Sequence, residues 1–240
     1  MGMTPSPTPS ESPRRHLTGA VVPAIAAAAL AGLGAMYLVS RQPTDIATPA
    51  GCILEHADAL GGPIDLVDTH GTRMTQADFA GQPALVYFGF THCPDICPTT
   101  MYTLNDALEL PEGYDVQPIL ISVDPARDTP AVMGAYVETE GFPEGLIGLT
   151  GSEAQVAAAA RAFQASASRG AASADGGYSV NHTSFLYVLD GNWRTVAAMP
   201  THKPVDAGAG GPALVPVEPA ELQACIVAGL DRRAEPAAQP

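Results

Sequence analysis

Leu85-Val86-Tyr87-Phe88-Gly89-Phe90-Thr91-His92-Cys93-Pro94-Asp95-Ile96-Cys97-Pro98 carries an apolar run straight into two cysteines separated by three residues. The run is short, aromatic and β-branched and gives way to turn formers, which predicts a buried strand. Pro98 suits the first position of a helix, so the spacing predicts Cys97 as the N-cap. Both sulfurs then sit at a strand-to-helix corner, near the positive end of a helix dipole. That environment favours thiolate, the form that attacks disulfides and binds soft metals.

Outward from this corner the chain alternates strands and helices. Residues 64–75 read as two short strands around a Gly turn, 84–90 and 118–123 as buried strands, and 98–108 as the helix after the motif. Pro130 opens a further helix that ends before Gly141, and Ser152 with Gln155 offers a capping box for one reaching Gln164. The Ala, Ser and Gly of 165–177 predict a flexible insertion, and 204–219 a second loose loop. Between them, 184–189 and 193–198 predict a hairpin across Asp190-Gly191-Asn192. An amphipathic run over 220–230 predicts a terminal helix. The pattern is α/β with a mixed central sheet, the class of architecture that places ligands at the carboxyl ends of its strands.

Two further words accompany the cysteine motif, Ile121-Ser122-Val123-Asp124-Pro125-Ala126-Arg127-Asp128-Thr129-Pro130 and Asn181-His182-Thr183-Ser184-Phe185-Leu186-Tyr187. Together the three resemble the Sco/SenC family of membrane-tethered copper proteins, over roughly residues 61–230. The resemblance implies a thioredoxin-like fold, one copper per domain, and copper ligands at Cys93, Cys97 and His182. It also implies delivery of copper to the binuclear copper site of a cytochrome c oxidase subunit, after loading from a copper donor protein. Family members usually carry an acidic residue before this histidine. Here it is Asn181, which accepts a hydrogen bond but brings no charge to tune the imidazole.

The donor set fits copper chemically. Thiolates select soft Cu(I), imidazole is a borderline ligand that also tolerates Cu(II), and three donors leave a side open for ligand exchange. The same sulfurs serve a thiol-disulfide oxidoreductase, in which Cys93 and Cys97 cycle between dithiol and disulfide. CxxxC departs from the CxxC of dedicated reductases, and a reductase has no need of His182. A copper or redox sensor shares every feature. A peroxidase is disfavoured, because nothing around a single cysteine is set to activate peroxide.

Other polar residues near these words have plainer readings. His92 would point away from Cys93 if strand alternation persists. Asp95 shapes the turn between the cysteines. Asp124 ends the second strand at the same sheet edge, and serves either the site or the turn. Asp128 supports the following helix start. His56, His70 and His202 read as exposed loop residues, and Trp193 and the tyrosines as packing.

A formal charge of −14 on 240 residues excludes nucleic acid as a partner, since phosphate neutralisation needs clustered Lys and Arg. Four cysteines are present. Beyond the motif pair, Cys52 and Cys225 flank the domain, either bridged, as suits an oxidising compartment, or as two unpaired thiols. Residues 1–16 are Pro- and Ser-rich and read as a disordered cytoplasmic start. Residues 17–40 are uncharged and, as a helix roughly 36 Å long, would cross a hydrocarbon core of about 30 Å. Arg14 and Arg15 then keep the N-terminus inside. A cleaved signal peptide and a lipidated Cys52 compete with a retained single-pass anchor, and each exports the domain. The organisation expected is a linker over 41–59, a copper-binding domain over 60–232 and a flexible tail over 233–240. The resemblance places that domain in the periplasm, beside a bacterial inner membrane.

Overall fold

The computed structural model describes residues 48–111, 113–172, 177–206 and 211–234, all within a compact unit that spans residues 46–240. The segments expected as a cytoplasmic start (1–16), an anchor (17–40) and the first part of a linker lie outside the described residues, as do 235–240 of the expected tail. Among the described residues no helix is long and apolar enough to cross a membrane.

The first strands among the described residues form a small antiparallel pair, β1 (Asp65–Val67) and β2 (Arg73–Thr75). The central strand β3 (Ala84–Gly89) follows, then α1 (Ile96–Glu109), β4 (Gln117–Ser122), α2 (Pro130–Val137), β5 (Ile147–Leu149) and α3 (Glu153–Ala162). Next come two hairpin strands, β6 (Ala167–Ala172) and β7 (Tyr178–His182), and then β8 (Phe185–Leu189) and β9 (Thr195–Pro200). A last hairpin, β10 (His202–Asp206) with β11 (Pro212–Pro216), leads into α4 (Pro219–Ala234). Five strands form one mixed sheet in the order β5-β4-β3-β8-β9, in which β3, β4 and β5 are parallel, β8 runs against β3, and β9 runs against β8 and so returns to the direction of β3.

The sequence explains this placement. Every residue of β3 is buried, as expected of a strand paired on both sides and covered on both faces. In α1 the buried residues Cys97, Thr100, Met101, Leu104 and Ala107 recur at helical spacing, so that face packs down while the opposite one meets solvent. Thr129 caps α2 through its side chain, with Pro130 in the first turn, and Ser152 with Gln155 forms the capping box of α3. Phe163 fills the space beside the sheet, with ring centroids 5.4 Å from Phe88 and 5.2 Å from Tyr187. Trp193 stacks on Phe79 at 5.2 Å.

Four expectations need correction. The helix after the motif begins at Ile96 with Asp95 at its N-cap, so Cys97 sits inside the first turn. Its own backbone N–H is thereby free to reach Cys93. Residues 165–177 are not simply a flexible insertion, because β6 and β7 pair in register from Ala167↔His182 to Arg169↔Val180. Small residues lower strand propensity, but cross-strand bonds override it here. Likewise 204–219 contains the β10–β11 hairpin rather than a loose loop. The three-residue β5 was not anticipated. It carries too few residues for a periodic signal.

Cys52 and Cys225 form a disulfide with Cα atoms 5.6 Å apart, across 173 residues of sequence. Cys225 is fully buried in α4. Next to Cys52, Ile53 bridges to Ala198 of β9, so the bond ties the chain's approach to its last helix. Cys52→Ser with Cys225→Ser is expected to lower the unfolding free energy by about 2–5 kcal/mol, mainly by freeing the unfolded chain. Denaturant midpoints compared with and without reductant check this.

Candidate metal centre

At the carboxyl end of β3 the chain turns through Phe90–Ile96 and enters α1, which places Cys93 on the loop and Cys97 in the first helical turn. Cys93 is half-buried and Cys97 buried, and both are free thiols. The Cys97 backbone N–H donates to Cys93 Sγ at 3.3 Å. His182 arrives from the last position of β7, and its Nε2 lies 3.5 Å from Cys97 Sγ. Its other ring nitrogen, Nδ1, lies 3.0 Å from the Thr183 carbonyl oxygen. A carbonyl only accepts, so in the neutral ring Nδ1 carries the proton and Nε2 turns its lone pair toward the sulfurs. The rings of Phe90 and Tyr87 meet the imidazole edge-on at 5.7 and 6.1 Å and form its walls.

The two thiols are electrostatically unlike. A hydrogen bond from the Cys97 thiol holds Cys93 down at about 4, aided by His182 and by backbone N–H groups. That same bond, together with burial, pushes Cys97 well above the ordinary thiol range. Cys93 is therefore the thiolate at neutral pH and Cys97 the proton holder. Between about pH 4 and the ordinary thiol range the unfolded chain binds the proton that folded Cys93 lacks, so stability rises with pH there. Above that range the retained proton on Cys97 reverses the slope. Alkylation of Cys93 by iodoacetamide is expected to be nearly flat from pH 6 to 8. A tenfold rise per unit, the behaviour of an ordinary thiol, would contradict the assignment.

The three donors suit a soft or borderline cation. Sulfur and nitrogen held about 2.3 and 2.0–2.1 Å from one metal, as in zinc sites, stand roughly 3.3–3.7 Å apart at ordinary angles. The 3.5 Å between Cys97 Sγ and Nε2 falls inside that span. Among the described residues, no group of three His, Cys, Asp or Glu side chains forms a ready-made metal cluster. The arrangement is thus convergent but open.

A profile described as SCO1/SenC matches residues 54–210, more than half of the chain. The chain belongs to the SCO1/SenC family. The SCO2-like protein of Rickettsia felis is 35% identical over 168 residues, covering 68% of this chain and 81% of that one. ScoI of Bradyrhizobium japonicum, solved with copper bound, is 32% identical with a TM-score of 0.55, covering 72% of this chain and 100% of that one. The copper-bound ScoI of Arabidopsis thaliana is 36% identical with a TM-score of 0.54, covering 59% and 88%. The mixed sheet described above is the thioredoxin-like architecture of these Sco structures.

Within this Sco chain the remaining polar residues separate clearly. Asp124 is buried and ion-pairs with Arg127, and its Oδ1 accepts a hydrogen bond from the Tyr178 hydroxyl at 2.7 Å. It grips the hairpin rather than the sulfurs. Asn181 lies on the exposed face of β7, opposite Ser168. The Thr183 carbonyl, not Asn181, orients the imidazole. Asp128 corrects its reading as a helix-start charge. It is fully buried and accepts hydrogen bonds from Ser122 Oγ at 2.6 Å, Thr91 Oγ1 at 2.7 Å and the Thr91 N–H at 3.2 Å. It therefore pins the start of the cysteine loop to the end of β4.

His92 is exposed, with Nδ1 3.0 Å from Thr91 Oγ1 and 3.7 Å from Asp128. His202 is not an exposed loop residue either. It lies partly buried in β10 beside the Thr201 hydroxyl at 3.1 Å, and burial lowers its pKa. His56 and His70 are exposed.

Two residues of the site escaped the sequence reading. Tyr87 extends its hydroxyl to 3.9 Å from Cys97 Sγ and 3.0 Å from Ser184 Oγ, and burial raises its pKa well above the ordinary value. Gly89 lies under Cys97. A Cβ there would stand 3.2 Å from Cys97 Sγ and 2.9 Å from the Tyr87 ring, both immobile in the core. Gly89→Ala is expected to cost about 1–3 kcal/mol from overpacking and to displace the Cys97 sulfur. A normal denaturation midpoint would contradict this.

Proposed function

We propose that this protein captures one copper ion through Cys93, Cys97 and His182 and delivers it to the binuclear copper site of a cytochrome c oxidase subunit. The observation that carries the reading is the arrival of His182 Nε2, from 85 residues away in sequence, at 3.5 Å from Cys97 Sγ. A dithiol enzyme does not require a third donor trained on its buried sulfur. Sco membership and copper-bound Sco structures with over 30% identity support copper as the cargo. Capture requires both cysteines reduced, because a Cys93–Cys97 disulfide removes two of three donors. Copper is loaded by a donor protein and leaves by exchange through the open side. Residues 17–40 act as a single-pass anchor that holds the domain on the periplasmic side of the inner membrane, with 41–59 as spacer.

A second reading is favoured by the unlike thiols. A half-buried low-pKa cysteine beside a buried protonated one is the arrangement by which a thiolate attacks a partner disulfide and a second thiol resolves it. One experiment separates the two readings. His182→Ala is expected to lower copper affinity by at least about tenfold, as loss of a donor must exceed the smallest effects of outer-sphere partners, while disulfide reduction persists. Lost reductase activity with unchanged copper affinity would instead make the protein an oxidoreductase.

A further inference from the structure

The hairpin that brings in His182 is a two-stranded sheet of its own, unpaired with the central five strands. What holds it down is a stack of charged and aromatic groups. The Arg127 guanidinium lies over the Tyr178 ring at 3.8 Å, and Arg169 lies over the same ring at 4.3 Å. Arg127 Nε pairs with Asp124, and Nη1 donates to the Tyr178 carbonyl at 3.1 Å. The Tyr178 hydroxyl donates to Asp124, and Arg169 reaches that carboxylate at 3.9 Å. Among the described residues, Arg127 Nη2 is buried without a hydrogen-bond partner, so the guanidinium keeps this pose at the expense of one donor. It also lies 5.8 Å from the Phe90 ring, which walls the imidazole of His182.

We propose that Arg127, Tyr178, Arg169 and Asp124 form a clasp that sets how long His182 stays on the two sulfurs, and so the rate at which cargo leaves. The proposal deepens the copper reading and rests on it. Asp124 and Arg127 belong to the loop after β4, whereas Arg169 and Tyr178 belong to β6 and β7, so the contacts span the seam along which the hairpin would lift. Tyr178 lies only four residues before His182 on a five-residue strand. Releasing the ring therefore frees the strand that carries the imidazole. These are positioning residues, since none of them reaches the sulfurs.

Tyr178→Leu removes the ring and the hydroxyl, while Tyr178→Phe keeps the ring between the two guanidinium groups. In the metal-free full-length protein, Tyr178→Leu is expected to speed amide hydrogen exchange of residues 178–183 at least tenfold, with the β3 amides unchanged. Tyr178→Phe should retain most of the protection. Loaded with Cu(I), the leucine variant should pass its ion to bicinchoninate about tenfold faster. That acceleration should vanish on a His182→Ala background if the clasp acts through the imidazole. Unchanged exchange in Tyr178→Leu overturns the clasp, and so does an acceleration that survives without His182. Should His182→Ala leave transfer untouched while Tyr178→Leu still loosens β7, the copper reading of His182 fails and takes the cargo role of the clasp with it.

Discussion

Cys97→Ser is expected to reduce Cu(I) affinity by more than about 100-fold, beyond the ~10–100-fold that partners outside the ligand set cost. The substitution keeps the shape of the side chain and exchanges a soft sulfur for a hard oxygen. It falls on the donor with the least freedom to be replaced. Cys97 is fully buried, sits in a helical turn under Tyr87, and is the atom on which the His182 imidazole is trained. No other cysteine can move into its place, because Cys52 and Cys225 are bonded to one another. Competition against a Cu(I) chelator measures the effect. An affinity within tenfold of wild type would mean that Cys93 and His182 suffice.

Asp128→Ala is expected to have the largest effect on stability of any substitution near the site, about 3–5 kcal/mol. A hydrogen bond to a charged group contributes ~1.5–3 kcal/mol, and three donors would lose their carboxylate acceptor. Those donors are the Thr91 N–H, the Thr91 hydroxyl and the Ser122 hydroxyl. Ser122 Oγ also receives the Asp124 N–H at 3.0 Å, so the loss extends along the loop after β4. Since Thr91 begins the cysteine loop, copper affinity should fall along with stability. Asp128→Asn, which keeps one acceptor oxygen, should recover part of both. A chemical denaturation midpoint shifted by less than about 1 kcal/mol would show that the loop does not depend on this carboxylate.

The sequence exposes most of the framework and much less of the machinery around the sulfurs. Strands β3 and β4 announce themselves as apolar runs between turn formers, and α2 and α3 through Thr129-Pro130 and the Ser152–Gln155 box, because these signals are local. The helix boundary at the motif is less legible, lying at Ile96 rather than Pro98. Pro98 is tolerated anywhere in the first turn, where no N–H is needed, so it does not fix which residue is the cap. The β6–β7 hairpin was read as loose because its Ala, Ser and Gly carry little strand propensity. Its order comes from cross-strand pairing and from a stack of Arg127, Arg169 and Tyr178, which meet only in three dimensions. Asp128 reads as a helix-start charge, since an aspartate before Thr129-Pro130 is common chemistry. Its partner Thr91 lies 37 residues away, and no local pattern reveals that pairing.

The central claim is that two sulfurs and one imidazole share a single copper ion. X-ray absorption at the copper edge of the reduced, Cu(I)-loaded protein, with metal stoichiometry on the same sample, tests it most directly. One copper per chain is expected, with two sulfur neighbours and one nitrogen neighbour, the nitrogen lost in His182→Ala. A shell identical in wild type and His182→Ala, or copper held without sulfur, would contradict it.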